Sequence, residues 1–372
     1  MMMMTMFVFS NIKRISRHSL RRYLSGMEKQ KIGIIGSGAV GTFFGLRLAE
    51  AGHEVRFLAS RQQKKIPSSL ALESWQGNYI LENPKIYETT KKLIDSGENL
   101  DWILFCLKST VFDEYNSEEE ETQFIKDLLE PCVDKKKTRI QILMNGLGVE
   151  EKLAKVFSPE KIFGGLVYGG LSKKENTIIH QGVPVEIRGG SFLDVKSEIE
   201  HAKQLWKSTP YIQYSPQECL LQAQYSKLAW NIPFNGLTIV AGGVDVSQVW
   251  GKTNPDDQHV QHSDASILLR QSALGLMQEI VQLANADLKA QSKSAEFFLN
   301  SDHLISILSA ITDKMAQASY IPSTTQDFLS NRPMEINSIF AEPLARAQAL
   351  HIPVPRLELL VGLLCSIRNS QK

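Results

Sequence analysis

The side chains best suited to chemistry are Lys227, Asn231 and Asn235, which follow one another at intervals of four residues. On a helix this spacing places all three on one face, while aromatic and aliphatic residues occupy most of the other positions nearby. The pattern predicts either the wall of a polar cavity or an exposed polar stripe. In a closed cleft, desolvation would lower the pKa of the lysine, which suits a general acid.

A glycine-rich turn near the N-terminus predicts a second kind of site. The apolar run Ile32–Ile35 leads into Gly36, Gly38 and Gly41, and a helical pattern follows. A strand, a G-x-G-x-x-G turn and a helix in this order are typical of a dinucleotide site, because the pyrophosphate approaches bare backbone at the helix N-terminus. A structural turn in an α/β protein is the alternative. The predicted cofactor contacts here are Gly36, Ser37, Gly38, Ala39, Val40 and Gly41.

The end of the second predicted strand, Glu54–Leu58, indicates which nucleotide binds. NAD sites place an acidic residue about 20 residues past the glycines, on the ribose 2′-hydroxyl. Here the strand is followed by Ser60, Arg61 and two lysines, with no carboxylate. A guanidinium group binds phosphate through two hydrogen bonds. The sequence therefore favours NADPH over NADH, with Ser60 and Arg61 at the 2′-phosphate; a solvated basic loop is the alternative for the lysines.

Two further predicted strands end in residues that could contact a ligand. A continuous apolar run ends in Leu107 and Lys108, and the next strand ends in Asn145 and Gly146. In open α/β sheets, ligands bind beyond the carboxyl ends of the strands. Asn145 could hydrogen-bond a ribose or a nicotinamide carboxamide, and Lys108 could contact the cofactor or a substrate carboxylate. Turn chemistry and a surface charge are the alternatives.

Glu335 lies in the first turn of a predicted helix that begins near Pro333. Proline and acidic side chains are both favoured at that position, so the helix alone can explain Glu335. Ser323 follows Pro322 and fits an N-cap or a turn.

The elements that would position these residues form two regions. Strand and helix patterns alternate over residues 30–212, which predicts a doubly wound, Rossmann-type α/β domain with a β-hairpin at 177–187. Helical periodicity dominates residues 213–372, which predicts an all-α domain. Its predicted helices are 217–230, 265–286, 294–299, 302–319, 334–350 and 356–368. Substrate would bind in the cleft between the two domains.

Composition limits the classes of function. The chain has 372 residues, of which 43% are hydrophobic and 22% charged, and its net charge of +1 gives no support for nucleic acid as a partner. Four cysteines lack C-x-x-C spacing and eight histidines form no ligand pattern, so no metal site is predicted. No apolar run reaches the roughly 18 residues that a membrane helix needs.

Residues 1–29 differ from the rest of the chain. They carry basic residues and serines, with no acidic residue before Glu28. This composition is typical of a mitochondrial transit peptide. A disordered tail upstream of a start at Met27 explains the same facts and would leave the protein in the cytoplasm.

Taken together, the motifs resemble the ketopantoate reductase (2-dehydropantoate 2-reductase) family over residues 30–365. The matching segments are 36–41, 106–108, 145–148, 227–235 and 335–336. The resemblance implies a Rossmann domain followed by a helical domain like the C-terminal domain of 6-phosphogluconate dehydrogenase. It also implies NADPH-dependent reduction of ketopantoate, a small-molecule 2-oxo acid, to (R)-pantoate in pantothenate and coenzyme A synthesis.

The resemblance further implies roles for single residues. Lys227 resembles the general acid that protonates the carbonyl oxygen as hydride arrives from the nicotinamide, and Glu335 resembles the catalytic residue that holds the substrate hydroxyl. The implied substrate positions are Lys108, Asn145, Asn231, Asn235 and Ser323. The implied cofactor contacts beyond the first strand are Leu107, Lys108, Asn145 and Gly146.

Several departures from the family pattern keep other functions open. Pro233 precedes the second asparagine, and Asp245 and Phe340 alter positions expected near the substrate. A paralogous NADPH-dependent reductase of another 2-oxo acid would fit these changes. A dehydrogenase of the opine or hydroxy-acid type would favour a histidine in the cleft, and a non-catalytic NADPH sensor would not need both Lys227 and Glu335. The sequence leaves the oligomeric state open, with a homodimer as one alternative.

Overall fold

The computed structural model describes residues 28–60, 65–94, 99–251 and 264–370. Residues 1–27 of the predicted leader and the predicted phosphate ligand Arg61 lie outside these ranges. Within them, no helix combines the length and the hydropathy that crossing a bilayer requires.

The N-terminal domain is built on one ten-stranded sheet. Its strands are β1 (Lys31–Ile35), β2 (Glu54–Leu58), β3 (Ser69–Ser74), β4 (Tyr79–Glu82), β5 (Lys85–Tyr87), β6 (Trp102–Phe105), β7 (Arg139–Ile142), β8 (Ile162–Lys174), β9 (Thr177–Ser191) and β10 (Ile212–Pro216). They lie in the order β4-β3-β9-β8-β7-β6-β1-β2-β5, and β10 pairs with β9. The segment from β7 to β5 is parallel, while β8 and β9 form a long antiparallel hairpin.

Helices of the first domain are α1 (Ala39–Glu50), α2 (Glu118–Leu129), α3 (Val149–Ala154) and α4 (Lys196–Lys207). The second domain contains α5 (Leu220–Val240), α6 (Val246–Trp250), α7 (Asp264–Ala290), α8 (Ser301–Gln317), α9 (Ser323–Leu329), α10 (Glu342–Ala349) and α11 (Pro355–Ser370). A π turn over Asn337–Ala341 precedes α10. The predicted fold class, a Rossmann-type sheet domain followed by a helical domain, is confirmed. The predicted domain boundary, between residues 212 and 213, falls directly after Ile212, the first residue of β10.

Three clusters of buried apolar residues hold these layers together. Along β6, Trp102 and Leu104 join the cluster on one face of the sheet, whereas Ile103 and Phe105 join the cluster on the other. Burial on both faces is the reason that this strand is a continuous apolar run. The third cluster fills the helical domain.

Some predicted elements differ from the structure. The hairpin predicted within 177–187 is wrong, because β9 runs through this segment and pairs with β8. Gly182, at φ +84°, marks an irregularity in that pairing rather than a turn between strands. The segment 294–299 forms only a 3₁₀ turn at Ala295–Phe297. The helix predicted to begin near residue 334 starts later, so Glu335 precedes the π turn.

Candidate active site

The glycine-rich turn leaves open space above the start of α1. A Cβ atom at Gly36, where φ is +107°, would lie 2.6 Å from the backbone of Cys106, and one at Gly41 would lie 2.1 Å from the Gly36 carbonyl oxygen. At Gly38, by contrast, a Cβ atom would meet no heavy atom of the described chain within 4 Å. The first N–H groups of an α-helix have no acceptor in a preceding turn. This arrangement fits the pyrophosphate of a dinucleotide.

The end of β2 lies beside this turn. The Ser37 hydroxyl donates to the Leu58 carbonyl oxygen at 2.5 Å. Ser37 and Ser60 line one cavity of about 370 Å³, whose walls also include Phe57 and Ile86. Two of the residues predicted to contact the cofactor therefore meet at one cavity, at the position where a Rossmann domain binds the adenosine ribose.

Lys227 reaches from α5 to the carboxyl end of the sheet. Its Nζ atom donates to Asn145 Oδ1 at 3.1 Å and to the Val167 carbonyl oxygen at 3.0 Å. Burial lowers the pKa of the lysine to about 8, while the charge of Glu335 raises it and the charge of Arg188 lowers it further. The ammonium is therefore mostly protonated at pH 7 and can still lose its proton readily, as a general acid must.

The ring of Tyr168 supports this ammonium. The Lys227 Nζ atom lies 5.1 Å from the ring centre, and the Arg188 Cζ atom lies 4.7 Å from it. Burial raises the pKa of Tyr168 to about 12, so the phenol stays neutral. An aromatic face attracts cations through its quadrupole. The attraction of the ring for both cations therefore offsets part of the repulsion between the Lys227 ammonium and the Arg188 guanidinium.

Glu335 connects the ends of two strands. Its Oε2 atom accepts from Asn145 Nδ2 at 3.2 Å, and its Oε1 atom accepts from the backbone N and the Oγ atom of Ser109, each at 3.1 Å. Ser109 Oγ also lies 2.6 Å from Ser338 Oγ. Glu335 is only 5% exposed. The resemblance assigns it to a substrate hydroxyl, whereas in the structure both of its oxygens accept from protein donors.

Lys108 is held by a residue of the second domain. Its ammonium forms an ion pair with Asp327 on α9, and the other oxygen of that carboxylate accepts from Arg332 Nε at 3.1 Å. Asp327 is buried, while the side chains of both cations are more than half exposed. Lys108, which was predicted to contact the cofactor or the substrate, is therefore bound to the helical domain through this ion pair.

The two asparagines of the polar stripe remain on one helix, because α5 continues through Pro233. Both are buried. Asn235 Nδ2 donates to the Asn231 carbonyl oxygen at 3.0 Å, and Asn235 Oδ1 accepts from the backbone N of Thr324 at 3.0 Å. Asn235 therefore fixes the start of α9, where Ser323 is exposed.

Comparisons with known proteins identify the family. Residues 32–193 match the family model for ketopantoate reductase PanE/ApbA, and residues 220–367 match the model for the C-terminal part of the same family. The chain belongs to the ketopantoate reductase family. As a member of it, the protein is an oxidoreductase with a Rossmann-type domain and a helical partner domain.

Individual relatives cover nearly the whole chain. A 2-dehydropantoate 2-reductase of Nostoc sp. is 28% identical over 344 residues, which are 90% of this chain and 94% of that protein. The crystal structure of a 2-dehydropantoate 2-reductase from Geobacter metallireducens is 29% identical with a TM-score of 0.74, covering 90% of this chain and 99% of the other. A D-mandelate dehydrogenase solved with NADH and anilino(oxo)acetate shares the fold, at 18% identity and a TM-score of 0.72, with coverages of 92% and 99%.

Within this reductase site, sequence reasoning missed Ser109, Tyr168 and Asp327. Ser109 directly follows Lys108, so the strand-end argument could have included it. Asp327 lies 219 residues from Lys108, and no spacing in the sequence links the two.

The two altered family positions are also explained by local structure. Asp245 caps α6 by accepting from the backbone N of Ser247 at 2.7 Å. Phe340 is fully buried in the core of the helical domain. The expectation that Phe340 alters the substrate pocket is therefore wrong, because the side chain packs among core residues.

Proposed function

We propose that this reductase transfers hydride from NADPH to ketopantoate (2-dehydropantoate) and yields (R)-pantoate, with Lys227 as the general acid. The observation that carries the proposal is the 3.1 Å contact between the Lys227 Nζ atom and Asn145 Oδ1. It places a lysine with a lowered pKa at the carboxyl end of β7, where ligands of open α/β sheets bind. The Nostoc and Geobacter relatives, named as 2-dehydropantoate 2-reductases, support the choice of substrate.

Lys227 has the donors that the reaction needs. An ammonium group carries three N–H bonds, and Asn145 and Val167 accept two of them. The third remains for the carbonyl oxygen of the 2-oxo acid. Negative charge develops on that oxygen when hydride adds to the carbonyl carbon, so the ammonium stabilises the charge and then gives its proton to form the hydroxyl.

Asn145 and Glu335 position the acid. The amide of Asn145 holds the ammonium through its oxygen and is itself held by Glu335 through its nitrogen. The negative charge of Glu335 also counteracts the effect of burial on the pKa of Lys227. As a result the amine stays protonated at neutral pH although burial disfavours its charged form.

The cofactor cradle fits a nicotinamide dinucleotide, whose bound nicotinamide supplies the hydride. Gly38 and the first turn of α1 would hold the pyrophosphate. Ser37 and Ser60 would face the adenosine ribose. NADPH is proposed over NADH because no carboxylate directly follows β2, where an NAD site would place one.

The test is oxidation of NADPH by the purified full chain, followed by absorbance, with ketopantoate as substrate. NADH and a series of other 2-oxo acids provide the comparison. We expect turnover with NADPH and ketopantoate, and a loss of about 10²–10⁴-fold in kcat/KM for Lys227→Met. Binding of NADPH, measured separately by fluorescence, should be unchanged in that variant.

The outcomes separate the alternatives. Turnover of another 2-oxo acid without turnover of ketopantoate would support a paralogous reductase. NADPH binding with no turnover of any 2-oxo acid would support a sensor. Faster turnover with NADH than with NADPH would overturn the cofactor proposal and leave the reaction class in place.

A further inference from the structure

The hairpin of β8 and β9 brings a lysine to the glycine-rich turn that has no role in the chemistry above. The Lys173 Nζ atom donates to the Ser37 carbonyl oxygen at 2.6 Å and lies 3.3 Å from Thr42 Oγ1. Both of these acceptors are neutral. Among the described residues, none forms an ion pair with Lys173. A cation without a counter-charge therefore lies directly against the turn that is expected to bind the cofactor.

Lys173 also lines the 370 Å³ cavity that contains Ser37 and Ser60. Ser60 comes just after β2, the position that contacts the ribose 2′ substituent in a Rossmann domain. Lys173 as a whole is exposed, but desolvation of its ammonium against the turn lowers its pKa, as expected where no anion lies nearby. Glu175, the one acidic residue in the described lining of this cavity, is exposed and makes no ion pair with the lysine.

We propose that Lys173 binds the 2′-phosphate of NADPH and thereby contributes to the preference for NADPH over NADH. This inference rests on the proposed cofactor. A phosphate monoester carries close to two negative charges at neutral pH and three acceptor oxygens, which would supply the counter-charge that Lys173 lacks. The hydroxyl of Ser60 and the amide of Asn176 line the same cavity and offer further donors.

The position of the lysine favours the 2′-phosphate over the pyrophosphate. A pyrophosphate lies on the N–H groups that follow Gly38, at the helix N-terminus. The cavity of Lys173 includes Ser37 and Thr42 but continues to Phe57 and Ile86, apolar surfaces that an adenine ring would contact. The ammonium thus faces the adenosine half of the cofactor site.

Two nucleotides that differ only in the 2′-phosphate test the inference. The affinities of the full chain for 2′,5′-ADP and for 5′-AMP are measured by calorimetry, with no substrate and no turnover. We expect the wild type to bind 2′,5′-ADP more tightly. Lys173→Met should weaken binding of 2′,5′-ADP by about tenfold, the value of one charge-assisted hydrogen bond, and leave 5′-AMP binding unchanged.

Two variants serve as controls. Lys174→Met removes the neighbouring charge, which lies on the opposite face of β8 because side chains alternate along a strand, and it should change neither affinity. Lys173→Arg keeps the charge and should retain most of the preference. Thermal unfolding of each variant establishes that it is folded, and Lys173→Gln replaces Lys173→Met if the latter is not.

Each of the other possible results would contradict the inference, and each would do so for a different reason. If Lys173→Met weakens the binding of both nucleotides equally, Lys173 contacts the 5′-phosphate that they share. A Lys173→Met variant in which the ratio of the affinities for 2′,5′-ADP and 5′-AMP equals that of the wild type would overturn the role of Lys173 and leave the NADPH proposal intact. A wild type that does not distinguish the two nucleotides would overturn both.

Discussion

Lys227 and Glu335 are linked through a single amide group. Asn145 accepts from the lysine through Oδ1 at 3.1 Å and donates to the glutamate through Nδ2 at 3.2 Å. In the reversed orientation the amide would turn its donors toward an ammonium and its acceptor toward a carboxylate, and both hydrogen bonds would be lost. The two charged residues therefore fix the direction of the amide, and the amide fixes the ammonium.

Replacing Asn145 by alanine should slow the reaction more than it weakens cofactor binding. The ammonium would lose one of its two acceptors and the orientation that comes with it, so we expect kcat to fall by about 10–100-fold. Steady-state kinetics and a separate NADPH titration measure the two effects. Asn99→Ala, at an exposed amide bonded to Asp134, is the control. A wild-type kcat in the Asn145 variant would contradict the positioning role.

The rate of reduction should fall as the pH rises through about 8. Only the protonated amine of Lys227 can donate, and burial places its pKa near that value. Glu335→Gln removes a charge that raises this pKa, so the midpoint of the kcat/KM profile should move to lower pH. Arg188→Met removes a charge that lowers it, so the midpoint should move to higher pH. Identical midpoints in all three proteins would show that another group controls the profile.

Two glycines of the turn should respond differently to alanine. At Gly38 the backbone is extended and the new methyl group enters open space, so Gly38→Ala should fold normally and lose cofactor affinity. At Gly41 the methyl group would overlap the Gly36 carbonyl oxygen, so Gly41→Ala should unfold at a lower temperature. Thermal unfolding and NADPH titration distinguish these effects. A large drop in Tm for Gly38→Ala would show that its space is needed for folding.

Removing the charge of Asp327 should destabilise the chain. This buried carboxylate binds Lys108 from the first domain and Arg332 from its own domain. We expect Asp327→Asn to lower the free energy of unfolding by about 1–3 kcal/mol, because the buried negative charge that pairs with two cations is lost. Urea denaturation measures the change. Arg332→Ala removes a largely exposed cation and should cost less than about 1 kcal/mol; equal losses would mean that the burial of Asp327 is unimportant.

The sequence predicted features that depend on local spacing. Each of these features lies within one element or at its end: the glycine turn, the spacing of four residues between Lys227, Asn231 and Asn235, and the apolar run before Lys108. The alternation of strands and helices in the first domain and the helical character of the second followed from the same local patterns. These parts of the fold agree with the structure because the periodicity of each element is carried by residues that are neighbours in the chain.

Contacts between distant segments could not be obtained in this way. Ser109 and Glu335 are separated by 226 residues, and Lys108 and Asp327 by 219. Lys173 was not among the residues predicted to form a site, and it is the pairing of β8 with β9 that places it against Ser37. The hairpin itself was misjudged, since a glycine within a strand and a glycine in a turn give the same local signal.

Lys227, the proposed proton donor, and its two hydrogen-bond acceptors lie on opposite sides of the short connection between Pro216 and Leu220. Lys227 comes after it, and both Asn145 and Val167 come before it. If the polypeptide were divided in that connection, neither fragment would contain a complete catalytic group. Turnover would then return only when the fragments reassociated, so the enzyme could serve as a split reporter of proximity.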